Sequence, residues 1–254
     1  MDIESAFITG ANRGIGLELV RLLAANELTH QKATRVLAAC RCPEERAEEL
    51  QNLAQRHPNI EIIKLDVDDW SSIENAAKKA DELCGKGGLN LLVNNAGVNP
   101  MDSLKSGLNF QTSDMELAVR TNILGPIQMT KALLPVLKRS AQMTPSGKAI
   151  VVNISSSAGC IKQTPLNYKF GNLFPYRVSK AGLNMASVCM AEDLRADGII
   201  CLPLHPGWVR TDMGGQKAPL SVEESVASCL KVIKNLTMQD TGSFLSYDGE
   251  VLPW

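Results

Sequence analysis

The sequence predicts an α/β fold: a doubly wound parallel sheet with helices on both faces. Three observations predict it. Apolar, β-rich runs alternate with amphipathic stretches along all 254 residues, and strands that alternate with helices pair in parallel through crossover connections. Several of the runs are almost continuously apolar, as strands covered on both faces must be. The first run ends in a glycine-rich turn that opens a helical pattern, "ITGANRGIGLELV" at 8–20.

The strands are expected at 5–10, 34–40, 59–67, 89–95, 148–155, 198–206 and 242–249. A first helix follows the glycine turn over 14–25. A second spans 43–56, with Pro43 at the favoured first position. A third spans 71–84 with serines as caps. Ser113-x-x-Glu116 and Ser221-x-x-Glu224 read as capping boxes opening two later helices. From Tyr176 a helix carries Ala181, Leu183, Met185, Ala186, Val188, Met190 and Leu194 as its apolar surface, and Gly198 stops it. Residues 142–148 form a polar loop. No repeat, linker or low-complexity segment divides the chain, so a single domain over 1–254 is expected.

Composition narrows the function. Hydrophobic residues make up 44% and charged residues 21%, which excludes a disordered chain. The net charge of −1 supplies no basic surplus for nucleic acid. Cysteines stand at 40, 42, 84, 160, 189, 201 and 229. Their odd count and scattered spacing point to no metal site and to reduced thiols in a cytoplasmic setting. The start "MDIESAFITG" lacks the basic region and apolar run of a signal peptide. The longest apolar runs are strand-length, so no membrane span is expected.

Gly10, Gly14 and Gly16 enclose Asn12, Arg13 and Ile15 in a G-x-x-x-G-x-G turn. Glycine is needed where backbone turns sharply or meets a phosphate closely, and the helix start behind it offers free N–H groups. Alone, such a turn serves chain geometry equally well. Its place after the first strand of a doubly wound pattern points to a Rossmann-type dinucleotide site. An acid at the end of the second strand would hold a 2′-hydroxyl. That position is Arg41, and with Arg13 it makes a pair suited to clamp a 2′-phosphate. NADP(H) is therefore preferred over NAD, the alternative being that either arginine simply faces solvent. In "KLDVDD" Asp66, with Val67 beside it, is placed to accept from an adenine amino group. Asp68 and Asp69 belong to the first turn of the next helix.

Tyr176 and Lys180, at i and i+4, share one helix face. A phenol has a reference pKa near ~10, and a nearby cation lowers it by roughly 1–3 units, towards the range useful for general acid catalysis. An amphipathic helix with a solvated lysine explains such a pair by itself. The serine run 155–157 and the glycine turn upstream outweigh that explanation. Strand alternation turns Ser155 away from the site, but the residues alone do not separate the three serines. Tyr168 has no lysine at the right spacing.

Five motifs then stand in order: "TGANRGIG" (9–16), "NNAG" (94–97), "NISSSAG" (153–159), "YRVSK" (176–180) and "PGWVRT" (206–211). Over essentially its whole length the chain resembles the short-chain dehydrogenases/reductases. "LHPGWVRTDMGG" (204–215) and "YDGEVLPW" (247–254) resemble the sniffer-like carbonyl reductases and the related C-factor-like proteins. The resemblance implies NADPH-dependent reduction of a ketone, aldehyde or quinone. It implies Tyr176 as proton donor, Lys180 lowering its pKa, Ser156 orienting the carbonyl, and Asn122, in "VRTNILGP" on the helix opened by Ser113, holding a water in a proton relay. Asn94, Asn95, Ala96 and Gly97 would support the sheet and line the adenosine ribose. Pro206, Gly207, Val209 and Thr211 would border the nicotinamide half. A homodimer is the family's candidate assembly. The other readings are an alcohol or steroid dehydrogenase running oxidatively and a non-catalytic NADPH-binding regulator.

The interval between Ser156 and Tyr176 exceeds the commonest family spacing. The extra residues, around "TPLNYKFGN" (164–172), are read as a flap beside the substrate. Ser157, Phe174 and Trp208 are its candidate contacts. His205 is assigned a structural hydrogen bond, His30 and His57 are read as solvated, and Cys160 as inert.

Overall fold

A computed structural model describes residues 3–25, 34–100, 108–143, 149–167 and 173–254. In chain order the elements are β1 (Ser5–Thr9), α1 (Gly14–Ala25), β2 (Arg35–Cys40), α2 (Glu48–Arg56), β3 (Ile60–Lys64), α3 (Trp70–Cys84), β4 (Leu91–Asn94) and α4 (Thr112–Val119). A π-helical turn (Arg120–Leu124) joins α4 to α5 (Gly125–Met143). Then follow β5 (Ala149–Ile154), α6 (Thr164–Asn167), α7 (Phe174–Arg195), β6 (Ile199–His205), α8 (Val222–Asn235) and β7 (Leu245–Ser246). The seven strands form one sheet in the order β3-β2-β1-β4-β5-β6-β7, and every pairing is parallel.

Side-chain alternation sorts the two faces. Ala6, Ile8, Val36 and Ala38 pack with Leu19 and Leu23 of α1 and with Val226 and Leu230 of α8. Phe7, Leu37, Leu92 and Val151 pack on the other face with Ile73 of α3 and with Met129 and Leu133 of α5. Each fully buried Leu, Ile or Phe contributes roughly 1.5–3 kcal/mol, so both helical layers are held by the same strands. The strand order reverses between β1 and β4. Connections leave those two strands for opposite faces and open a crevice at their carboxyl ends, where doubly wound sheets take ligands. Among the described residues no helix is long and apolar enough to cross a membrane.

All seven expected strands are present, and four helix starts differ from expectation; α7 begins at Phe174, two residues before Tyr176, with Pro175 in its first turn. α2 begins at Glu48, because residues 43–46 make a separate turn, Arg46 N–H donating to Cys42 O at 3.1 Å. α3 is capped by Asp69, whose carboxylate accepts from Ser71 N–H at 2.9 Å. Asp68 stays outside that helix and accepts from Thr121 Oγ1 at 2.9 Å. α4 is opened by a reciprocal box between Gln111 and Asp114, not by Ser113. Ser221 and Glu224 form the expected box on α8, and Gly198, at φ +70°, follows the end of α7.

Candidate active site

The glycine turn is built to leave backbone uncovered. Gly10 has φ +65°, and a Cβ there would sit 3.0 Å from Ala96 Cα. A Cβ on Gly16 would collide with the Gly10 carbonyl oxygen. Gly16→Ala is therefore expected to destabilise the fold by about 1–3 kcal/mol, checked by urea denaturation, and to weaken nucleotide binding with it. The turn is fixed from behind. Thr9 Oγ1 accepts from Asn95 N–H at 3.0 Å and Ala96 N–H at 2.9 Å, and Asn95 Nδ2 donates to Thr9 O at 2.8 Å and Gly10 O at 3.1 Å. Thr9 opens the motif at 9–16, but its part as a brace is not legible there, because the partner loop at 95–96 is brought to it only by the β1–β4 pairing. Asn94 Nδ2 donates to Asn153 Oδ1 at 2.8 Å, joining β4 to β5. Ile15 packs on the core.

Ala11 N–H donates to Ala39 O at 3.0 Å and Asn12 Nδ2 to Arg46 O at 3.0 Å. These bonds hold the turn against the end of β2, where Arg41 is exposed. Arg13 pairs instead with Asp212, Nη1 to Oδ2 at 2.7 Å, both side chains being mostly exposed. Such a surface pair is worth about 0–1 kcal/mol and leaves most guanidinium donors available. It spans from the turn to the loop after β6. A Cβ on Gly14 would lie 3.3 Å from Thr211 Cγ2, so that loop lies over the start of α1. Within it Pro206 O accepts from Ser225 Oγ at 2.6 Å, Val209 bridges Leu220, and Gly207, at φ +84°, leaves no room for a Cβ beside Leu220 and Tyr247. Asp66 accepts from Asp68 N–H at 3.0 Å. Val67 packs against Gly125 at the foot of the π turn.

The second half of the site forms where β5 ends. Ser156 caps a short 3₁₀ turn (Ser157–Gly159), its Oγ accepting from Ala158 N–H at 3.1 Å, and it hydrogen-bonds the Tyr176 hydroxyl. Tyr176 lies in the first turn of α7, which Pro175 helps to start. One turn on, Lys180 is buried, its Nζ donating to Ile154 O at 2.8 Å and standing 5.6 Å from the Tyr176 ring centroid. Gly159 permits this closeness, since a Cβ there would press on the Lys180 and Ala181 backbone. Asn122 sits in the π turn, fully buried. Its amide pairs with Val98 in both directions at 2.8 Å and donates to Ser179 Oγ at 2.9 Å. Ser179 Oγ in turn donates to Tyr176 O at 2.8 Å. A Cβ on Gly97 would lie 3.2 Å from Asn122 Oδ1 and 3.7 Å from Lys180 Nζ. The fold thus gathers all four predicted residues and adds Ser179, whose part as a bracket depends on the π turn and leaves no sequence signal.

Burial pushes the Lys180 ammonium down to about 8. Burial also pushes the Tyr176 phenol up, with only the Ser156 hydrogen bond opposing it. The direction is opposite to the lowering expected, and the lysine expected to supply that lowering donates its Nζ to Ile154 O.

Phe174 stacks on Phe110 with centroids 5.1 Å apart, and Ser157 is half-buried. Trp208 is exposed, its Nε1–H donating to Gly214 O at 2.8 Å. Ser155 is turned inward and donates to Asn184 Oδ1 at 2.5 Å. The lengthened segment contains α6. Its residues 168–172, with Tyr168 and Lys169, lie outside the described residues, as do His30 and residues 144–148. His57 is half-buried at the end of α2. His205 Nδ1 is enclosed and has no hydrogen-bond partner among the described residues, where a structural hydrogen bond is expected, and desolvation pushes this imidazole down to about 4.

A sheet crevice with a bare glycine turn on one side and a tyrosine–lysine–serine cluster on the other is the arrangement of an α/β oxidoreductase. The family model for short chain dehydrogenases matches residues 4–220, and the chain belongs to that family. A carbonyl reductase from chicken fatty liver, solved with NADPH bound, is 42% identical, with both chains covered completely and a TM-score of 0.92. The carbonyl reductase Sniffer of D. melanogaster is 36% identical, again with complete coverage of both and a TM-score of 0.92. C-signal of Myxococcus xanthus is 37% identical over 66% of this chain and 94% of its own length.

Proposed function

We propose that the chain is an NADPH-dependent carbonyl reductase acting on a small ketone, aldehyde or quinone. The observation that carries this reading is Tyr176 one helical turn before buried Lys180, whose Nζ stands 5.6 Å from the tyrosine ring centroid, beside the turn that Ser156 caps. The crevice fits a dinucleotide. Gly10, Gly14 and Gly16 leave backbone bare at the open start of α1, where a pyrophosphate is favoured. Arg41 with Arg13 would hold the 2′-phosphate. Asp66 and Val67 would meet the adenine, and Asn95, Ala96 and Gly97 the adenosine ribose. Pro206, Gly207, Val209 and Thr211 would border the nicotinamide. When bound, the cofactor supplies the hydride.

The chain supplies the proton and the geometry. Ser156 donates a hydrogen bond to the substrate carbonyl oxygen, where negative charge develops. Tyr176 gives its hydroxyl proton to the same oxygen. Burial pushes that phenol up, which favours the protonated form that a proton donor needs. Lys180 stabilises the phenolate left after transfer. Asn122, facing Lys180 across Gly97, belongs to the relay that returns the proton. The apolar faces of Phe174 and Trp208 and the hydroxyl of Ser157 are assigned to the substrate. The seven free cysteines support a reducing, cytoplasmic setting.

The test is NADPH consumption against a panel of carbonyls, with NADH in parallel. Turnover of at least one with NADPH preferred is the expected result. Tight NADPH binding without any turnover would favour the regulator, a reading that the likeness to C-signal keeps in view. For the cofactor choice, Arg41→Asp should weaken NADPH by about 10–100-fold, as loss of a charged hydrogen bond predicts, while NADH is little affected. An unchanged ratio of the two dissociation constants would remove Arg41 from the clamp.

A further inference from the structure

Beyond β7 the chain doubles back on itself. Gly249, at φ +90°, makes the turn. Ser246 N–H donates to Glu250 O at 2.8 Å, Leu252 N–H donates to Phe244 O at 2.7 Å, and Val251 bridges Leu245 in antiparallel sense. This return places Trp254 over Phe244, the rings stacked at 5.6 Å. Phe244 is fully buried, so the stack fixes the far end of the return to the core.

The main-chain oxygen of Trp254 then reaches the segment that leaves the Ser156 turn. It accepts from Lys162 N–H at 2.9 Å and from the Cys160 thiol at 3.5 Å. Cys160 is fully buried and tied into its own loop, its Sγ accepting from Gln163 N–H at 3.3 Å and its carbonyl from Thr164 Oγ1 at 2.8 Å. It directly follows Gly159, which lies flat against the backbone of Lys180 and Ala181. The Ser156 turn is therefore gripped between two supports, α7 on the inside and the return 250–254 on the outside.

We infer that residues 250–254 form a positioning strap for Ser156, with the Trp254–Phe244 stack as its anchor and the Trp254 oxygen as its hold on Cys160 and Lys162. This rests on the reading of Ser156 as the carbonyl-orienting residue. Its effect is confined to the substrate half of the site. Among the described residues the glycine turn is fixed by Thr9, Asn95 and Ala39 and by the Arg46 main chain, none of which touches the strap. Loosening the strap should misplace the carbonyl without disturbing the cofactor.

The test compares Trp254→Ala and Trp254→Phe with the parent chain in three measurements: NADPH affinity, carbonyl kinetics, and alkylation of Cys160 by iodoacetamide resolved by peptide mass spectrometry. For Trp254→Ala, kcat/KM towards the carbonyl should fall about tenfold, the scale of a small misalignment of reacting groups. NADPH affinity should hold within about twofold. Cys160 should alkylate at least about tenfold faster, because the local opening that exposes it becomes easier. Trp254→Phe, which keeps a stacking ring, should restore all three. Unchanged Cys160 alkylation in the alanine variant, or a loss of NADPH affinity as large as the loss of carbonyl efficiency, would overturn the strap. Absence of turnover in the parent would refute the reductase reading instead, and the alkylation measurement would still decide the strap.

Discussion

Phenylalanine at position 176 should lower kcat for carbonyl reduction by about 10²–10⁴-fold, the usual contribution of a positioned proton donor. The substitution keeps the ring and removes only the hydroxyl that meets Ser156. The packing at the start of α7 is preserved, and NADPH should bind with nearly its original affinity. Single-turnover kinetics with saturating NADPH separate the two effects. A variant that still reduces its best carbonyl at the parent rate would remove Tyr176 from the mechanism. The same experiment bears on Ser156, because its hydroxyl loses a partner without losing the cap it provides to Ala158.

Methionine at position 180 should abolish useful activity and yet make the protein more stable at neutral pH. Burial lowers this lysine from 10.5 to about 8, a shift equivalent to roughly 3 kcal/mol of unfavourable desolvation. Among the described residues the side chain makes one hydrogen bond, to Ile154 O, worth about 1 kcal/mol net, so a gain of about 1–2 kcal/mol is expected on removing the charge. The sign follows from proton linkage. Between about pH 8 and 10.5 the unfolded chain holds a proton that the folded chain has released. The parent's stability therefore climbs with pH through that window, and the full cost is present below it. Lys180→Met should flatten the climb, which urea midpoints at pH 7, 9 and 10.5 would reveal. A variant less stable than the parent at pH 7 would mean that the lysine packs better than its solvation suggests.

The sheet and most helices were legible because they follow from periodicity. Seven apolar runs became seven strands, and the glycine turn fell where β1 meets α1. The four residues of the candidate cluster were legible only jointly, through motifs in order. What escaped were features decided by competition between neighbours. Ser113 is the expected head of the capping box of α4, but the helix opens two residues earlier because Asp114 reaches back to Gln111 N–H. Serines at 71 and 72 looked like caps, but Asp69 is a stronger acceptor at the helix start. The Tyr176 environment misled in another way. Spacing showed a cation nearby, whereas the balance between that charge and desolvation is set by surrounding atoms that no i,i+4 rule counts. The bracket from Asn122 through Ser179 to Tyr176 O depends on a π turn, and nothing in "VRTNILGP" distinguishes that turn from ordinary helix.

That π turn also sets a phase. An α-helix advances by about 100° per residue, and a π turn absorbs one additional residue. α4 and α5 thus point their inward faces in directions that a continuous helix could not satisfy together: Met129 and Leu133 lie against the sheet while Asn122 looks towards α7. Deleting one residue there, Thr121 for instance, would restore regular winding and keep α5 seated, but would swing position 122 by about a quarter-turn. The amide would leave Val98 and Ser179 together, and the loop after β4 would lose its tie to α7 in a single step. Length in this stretch is thus a constraint as strict as identity, and it holds even at Thr121, whose side chain is engaged with Asp68.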